Sequence, residues 1–233
     1  MARMLRFKFS RDESLKYIAH LDVLRLFERA TKRARLPVAY TQGFNPRQKL
    51  VFGLPMSIGL TSEAEYADIE LEEELSLQDF ISRMNEGLPR GIRVLEAVEQ
   101  KNKGNIMNQI TAARYEIHLK TPKAMSLYEM DTLIQSLLER EDISVMKKTK
   151  KGPRPVNIRP MIYTLSALKT DIDAFCLEAF LSAGAENNLR VDLLMEAFEQ
   201  ETGLKVSILR MHRKALYTST YNEWKNPFEV ANG

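Results

Sequence analysis

The chain has 233 residues, 34 Lys/Arg against 31 Asp/Glu and 44% hydrophobic residues, the balance of a soluble globular protein with one large or two small domains. A single cysteine, Cys176, excludes a disulfide framework and any thiolate-ligated metal or iron–sulfur site made by this chain alone. The opening residues form no apolar leader and no apolar run is long enough to cross a bilayer, so the expected location is the bacterial cytoplasm.

The net charge of +3 conceals a sorted distribution: residues 1–49 carry +8, 50–100 carry −8, 101–160 carry +6 and 161–233 carry −3. Such blocks create strong local fields while the total stays small.

In chain order, 4–10 alternates apolar and polar residues as a half-buried strand does. A helix is predicted over about 19–35, with Leu21, Leu24, Phe27 and Ala34 spaced for one face, and Pro37 beyond its end. Residues 38–40 read as a short strand, 43–46 as a loop, and 50–52 as a returning strand. Residues 65–71 alternate again, and the acidic run 70–74 reads as a solvated strand end. A second helix spans 77–88 behind Ser76 as N-cap, and a strand spans 92–98.

Residues 100–109, polar and glycine-containing, read as a linker. The order then returns: strand 115–119, helix 126–140, strands 143–147 and 156–168 around a basic turn, strand 173–180, helix 191–201 ended by Gly203, and strand 206–213. The predicted fold class is α+β, two tandem ferredoxin-like β-α-β-β-α-β units with antiparallel sheets. Their domains are 1–100 and 109–217, followed by a tail over 218–233.

Phosphate-loop, zinc-protease, paired-cysteine and nucleophile-elbow motifs are missing from the sequence. His20, His118 and His212 show no ligand spacing, and Cys176 lies in an apolar run as a core residue does. No catalytic residue, metal or cofactor is therefore expected. On the first helix Arg25, Arg29 and Arg33 recur every four residues with Lys32 beside them, a cationic stripe suited to phosphate. Arg11 and Arg35 are candidates to extend it. Ion pairs Asp22–Arg25 and Glu28–Lys32 can neutralise only part of this charge.

The loop Tyr40-Thr-Gln-Gly-Phe-Asn-Pro-Arg-Gln-Lys49 combines aromatics, amides and cations. Tyr40 and Phe44 can stack on bases, Gln42 and Asn45 can read base edges, and Arg47 and Lys49 can hold phosphates. A plain hairpin anchored by Phe44 is the other reading of the same residues. A second basic loop supplies Lys148, Lys150 and Lys151 as further nucleic-acid candidates, or forms only a solvated turn.

The segment Tyr17-Ile-Ala-His-Leu-Asp-Val-Leu-Arg-Leu-Phe-Glu-Arg-Ala30, followed by Leu36-Pro-Val-Ala-Tyr-Thr-Gln-Gly-Phe-Asn-Pro46, resembles the radical-SAM-linked (radical-SAM-associated) family, the domain of unknown function 2344. Gly53-Leu-Pro-Met-Ser-Ile-Gly59, Ser62-Glu-Ala-Glu-Tyr66, Val156-Asn-Ile-Arg-Pro-Met-Ile162 and Arg210-Met-His-Arg213 resemble its other blocks. The chain departs where the family commonly has histidine and proline after Asn-Pro; here stand Arg47 and Gln48, so a proton-transfer role for that histidine does not carry over.

The resemblance implies a radical-SAM protein as partner and a setting of ribosome and RNA-processing functions. Lacking the cluster-binding C-x-x-x-C-x-x-C, this chain is not the radical enzyme. The leading expectation is a non-catalytic accessory subunit that binds RNA or presents substrate through the basic helix and loop. A protein–protein adaptor docking the radical-SAM enzyme without RNA is one alternative. The other is a metal-independent endoribonuclease with His20 as base and Tyr40 and Lys49 beside it.

Overall fold

The computed structural model describes residues 3–102, 104–149, 152–220 and 223–232. The chain divides into two compact units, residues 1–111 with 213–233, and residues 112–212.

In the first unit, β1 (Arg3–Arg11) alternates Leu5, Phe7 and Phe9 onto one buried face, the period-two consequence of the pleat. α1 (His20–Arg33) lays Val23, Phe27 and Ala30 into the same core. β2 (Leu50–Phe52), β3 (Leu60–Leu71), α2 (Leu77–Gly87) and β4 (Ile92–Glu99) complete the repeat. The strand order β4-β1-β3-β2 is antiparallel throughout, which is the ferredoxin-like arrangement. Phe7, Phe9, Phe27, Phe52 and Phe80 pack with ring centroids between 4.8 and 6.1 Å. α2 approaches α1 at Gly87, where a Cβ would lie 2.6 Å from the Ala30 carbonyl oxygen; only glycine admits that spacing.

α1 ends in a left-handed turn at Arg35, φ 51°. The Arg35 N–H donates to the Lys32 carbonyl at 3.1 Å and the Leu36 N–H to that of Thr31 at 3.0 Å, a Schellman closure usually given to glycine. Arg35→Gly is therefore expected to raise stability by about 0.5–1 kcal/mol. A urea midpoint that stays or falls would contradict this.

After the short α3 (Ile106–Gln109), the second repeat runs β5 (Ile110–Lys120), α4 (Leu127–Leu138), β6 (Ser144–Thr149), β7 (Gly152–Asn157), β8 (Ile162–Asp171), β9 (Ala174–Ser182), α5 (Val191–Thr202) and β10 (Ser207–Thr220). Its strand order, β10-β5-β9-β8, repeats the pattern of the first unit, with antiparallel β5–β9 and β9–β8 pairs. β6 and β7 form a separate hairpin inserted between α4 and β8. Ser126 and Glu129 make a reciprocal capping box at the start of α4, and Gly203, φ 71°, ends α5. β11 (Glu223–Lys225) and α6 (Pro227–Asn232) follow. The chain is α+β with two ferredoxin-like repeats. No helix of the described residues is long and apolar enough to cross a membrane.

Four readings of the sequence are corrected. The strand over 38–40 reduces to isolated bridges, Val38 to Leu71 and Tyr40 to Gln48. The single strand over 156–168 is broken at a 3-10 turn, Arg159–Met161, which contains Pro160; Asn157 fixes the break by accepting from the Arg159 N–H at 2.9 Å. The linker over 100–109 contains α3, with Ile106 buried and its N–H donating to Asp68 at 3.1 Å. The segment set apart as a tail from residue 218 groups with the first unit. There Arg6 donates to the Pro227 carbonyl at 2.8 Å and Phe228 meets Tyr66 edge-on at 5.1 Å.

Candidate functional site

A groove of about 600 Å³ lies in the first unit between α1 and the loop 40–50, within the roughly 300–1,000 Å³ typical of ligand sites. The helix contributes Leu21, Leu24, Arg25, Glu28 and Lys32; the loop contributes Tyr40, Pro46, Arg47, Gln48 and Leu50. Apolar surface thus lies beside three cations, one carboxylate and one phenol.

The loop is a hairpin, not a disordered excursion. The Thr41 N–H donates to the Arg47 carbonyl at 2.8 Å, the Arg47 N–H to Thr41 Oγ1 at 3.0 Å, and the Lys49 N–H to the Ala39 carbonyl at 2.8 Å. Gly43, φ 122°, makes the reversal at the tip. The Tyr40 ring is set by a buried amide: Thr31 Oγ1 donates to Gln48 Oε1 at 2.9 Å, and Gln48 Nε2 donates to the Tyr40 hydroxyl at 3.2 Å. Because that hydroxyl accepts from Gln48, its own proton is free to donate elsewhere.

Of the sequence-derived candidates, Arg25, Lys32, Tyr40 and Arg47 meet in the groove. Arg29 and Arg33 do not: four residues turn a helix through about 400°, so each step of the stripe drifts roughly 40° around the axis. Both remain exposed. Gln42, Phe44 and Asn45 stand exposed at the hairpin tip, and Phe44 is fully solvent-facing, which removes its reading as the loop's anchor. Lys49 is paired with Glu70 at 2.8 Å. Arg11 is wholly buried, donating to the carbonyls of Leu60, Ile18 and Ser57, so it extends no surface patch. Lys148 lies on the β6 backbone opposite Pro153, its side chain outside the described residues, as are Lys150 and Lys151.

The expected Asp22–Arg25 ion pair forms at 3.1 Å between exposed side chains. The Glu28–Lys32 pair does not form. Among the described residues, no carboxylate lies within ion-pair distance of Lys32 or Arg47 in the groove, or of Arg29 and Arg33 further around α1.

A model of the family described as uncharacterized protein conserved in bacteria (DUF2344) matches residues 4–191. The chain belongs to the DUF2344 family. The match stops short of Arg210–Arg213, the last segment that resembles the family. No curated protein matches this DUF2344 chain. Among solved structures it is similar to chains of a Cbf5-Nop10-Gar1 complex (TM-score 0.48, 10% identity, 90% of this chain and 49% of that one) and of an archaeal box H/ACA sRNP Nop10-Cbf5 complex (0.48, 8%, 90% and 46%). An unknown protein from Galdieria sulphuraria gives 0.24 at 11% identity, covering 89% of this chain and 98% of that one. The DUF2344 chain spans about half the length of the first two. Similarity this low establishes neither a shared fold nor a shared partner.

His20 does not line the groove of the DUF2344 chain. Its ring packs edge-on against Phe52 at 5.7 Å, with Nδ1 buried and unpartnered among the described residues. Of the residues drawn for an endoribonuclease, Tyr40 lines the groove and is held by Gln48, and Lys49 is paired with Glu70. Burial, followed by the opposing effect of Glu65 and the added repulsion of Arg11 and Arg213, holds the imidazole below its ordinary value of 6.5. A histidine depressed in the fold stabilises fully above its unfolded pKa and loses that contribution as pH falls. His20→Leu is expected to flatten the fall in urea stability as pH drops below about 6.5. An unchanged pH profile would contradict the assignment.

Cys176 is buried beside His118, Sγ to Nε2 3.9 Å. Burial, then Glu116 and Glu178, push its thiol up, which keeps it protonated and a poor nucleophile. Sequence reading missed Gln48, the residue that orients Tyr40. Its signal was the polar pair Thr31 and Gln48 at otherwise apolar positions.

Proposed function

We propose that this protein is a non-catalytic accessory subunit that binds single-stranded RNA along α1 and the 40–50 hairpin, in the service of a radical-SAM enzyme. The observation that carries the reading is the groove itself, lined by a tyrosine anchored by Gln48 together with Arg25, Lys32 and Arg47. Aromatic platforms flanked by cations suit unstacked bases and their phosphates. The radical-SAM partner rests on resemblance of the sequence alone. The full exposure of Phe44 at the hairpin tip favours a second reading, in which the tip docks a protein partner.

With about four phosphates engaged on a single strand, log K against log salt is expected to slope near −0.7 × 4, roughly −3. Raising salt fourfold then weakens binding about fiftyfold. Binding that ignores salt, or no binding to cellular RNA, would overturn the reading. Co-purification of the enzyme that survives nuclease treatment would favour the docking reading instead.

A further inference from the structure

We propose that the groove between α1 and the 40–50 hairpin selects guanine, with the Glu28 carboxylate as the specificity-determining acceptor. The inference rests on the reading of this groove as an RNA site and names the base it takes.

Glu28 is the one acid among the residues lining the groove. Its carboxylate makes no ion pair or hydrogen bond among the described residues, although Lys32 lies one helical turn away on the same face. The backbone carbonyl of Glu28, in contrast, accepts from Gln48 Nε2 at 3.4 Å, and Thr31 Oγ1 shares its one proton between that carbonyl and Gln48 Oε1, 2.9 Å from each, which pins the residue's place on the wall. The Gln48 amide has its oxygen committed to Thr31 and its nitrogen committed to Tyr40 and Glu28. It is a scaffold with little left to offer a ligand.

The available acceptor is therefore an ionised carboxylate, which only accepts. Guanine alone among the four bases carries two adjacent donors, N1–H and N2–H, that meet both oxygens of a carboxylate. Adenine and cytosine set one amine beside a ring acceptor, and uracil sets one N–H between two carbonyl oxygens that a carboxylate repels. The remaining edge of guanine, O6 and N7, accepts only, and matches the cations Arg25, Lys32 and Arg47 and the Tyr40 hydroxyl proton. Charge thus fits on both edges of one base.

The test uses the full-length protein, a labelled oligouridine carrying one guanosine, the same strand with inosine in its place, and free GMP and IMP as competitors. Inosine lacks only the N2 amine. The guanosine strand is expected to bind about tenfold more tightly than the inosine strand, and GMP to compete about tenfold better than IMP. Glu28→Gln, and separately Glu28→Ala, should erase both preferences, so that the guanosine and inosine strands bind alike. Equal binding of guanosine and inosine strands, or a preference that survives both variants, would overturn the guanine assignment and leave RNA binding standing. A GMP preference without binding of any strand would uphold the guanine site and overturn the RNA reading. No binding of strands or nucleotides would overturn both.

Discussion

Asp68→Ala is expected to destabilise the protein by about 3–5 kcal/mol. Arg6 is wholly buried and donates to both Asp68 oxygens, at 2.7 and 3.0 Å. Asp68 also accepts from the Ile106 N–H, and Arg6 also holds the Pro227 carbonyl. Removing the carboxylate leaves a guanidinium without its counter-charge in the interior, and the cost is that of an uncompensated charge, not of one lost hydrogen bond. The exposed Asp22–Arg25 pair provides the contrast: Asp22→Ala should cost about 0.5 kcal/mol or less. Urea denaturation of the two variants checks this. Equal costs would show that the Arg6–Asp68 pair is not the buried tie that joins β1, β3, α3 and α6. Hydrogen exchange should also show α6 amides opening first in Asp68→Ala, since its anchor on Arg6 is loosened.

The second large effect is expected at the groove. The triple variant Arg25→Ala, Lys32→Ala, Arg47→Ala should lower the magnitude of the salt slope for single-stranded RNA by about two units, three cations at ~0.7 each. Two units of slope correspond to roughly a hundredfold loss of affinity at about 0.1 M salt relative to 1 M. Arg29→Ala with Arg33→Ala should cost much less, because those side chains wind away from the groove and act only through the general field. A sequence view treats Arg25, Arg29 and Arg33 as one stripe; the helix geometry separates them. If the Arg29/Arg33 pair costs as much as the triple, the binding face lies further around α1 than the groove.

The elements that were legible in the sequence are those whose burial is one-sided. β1 alternates because Leu5, Phe7 and Phe9 meet the helices, and α2 starts at Ser76, whose hydroxyl accepts from the Asp79 N–H. β3 was legible only over its second half. Its first half, from Leu60, places Thr61, Ser62 and Glu65 in the interior, so the apolar period is missing. Ser62 and Glu65 are satisfied from far along the chain: Ser62 donates to the Arg213 carbonyl and Arg213 Nη1 donates to both Glu65 oxygens at 2.8 Å. A partner 148 residues away leaves no local signal.

The candidate site was half legible for the same reason. Residue types in the hairpin announce themselves, but which of them face α1 depends on its ladder. Thr41 pairs with Arg47, which places Tyr40 and Arg47 on the groove and leaves Gln42, Phe44 and Asn45 at the tip. The arginine period was legible too, although its drift around the helix mattered more than its recurrence. Gln48 looked like one amide among several until its bonds to Thr31 and Tyr40 gave it a task.

Ultraviolet crosslinking of the protein to bound single-stranded RNA, with the adducted residues mapped by mass spectrometry, tests most directly whether the groove is the binding face. The account predicts a principal adduct on Tyr40, lost in the Arg25/Lys32/Arg47 triple variant and retained in the Arg29/Arg33 pair. Adducts confined to the β6–β7 hairpin, or a Tyr40 adduct indifferent to the triple variant, would contradict it.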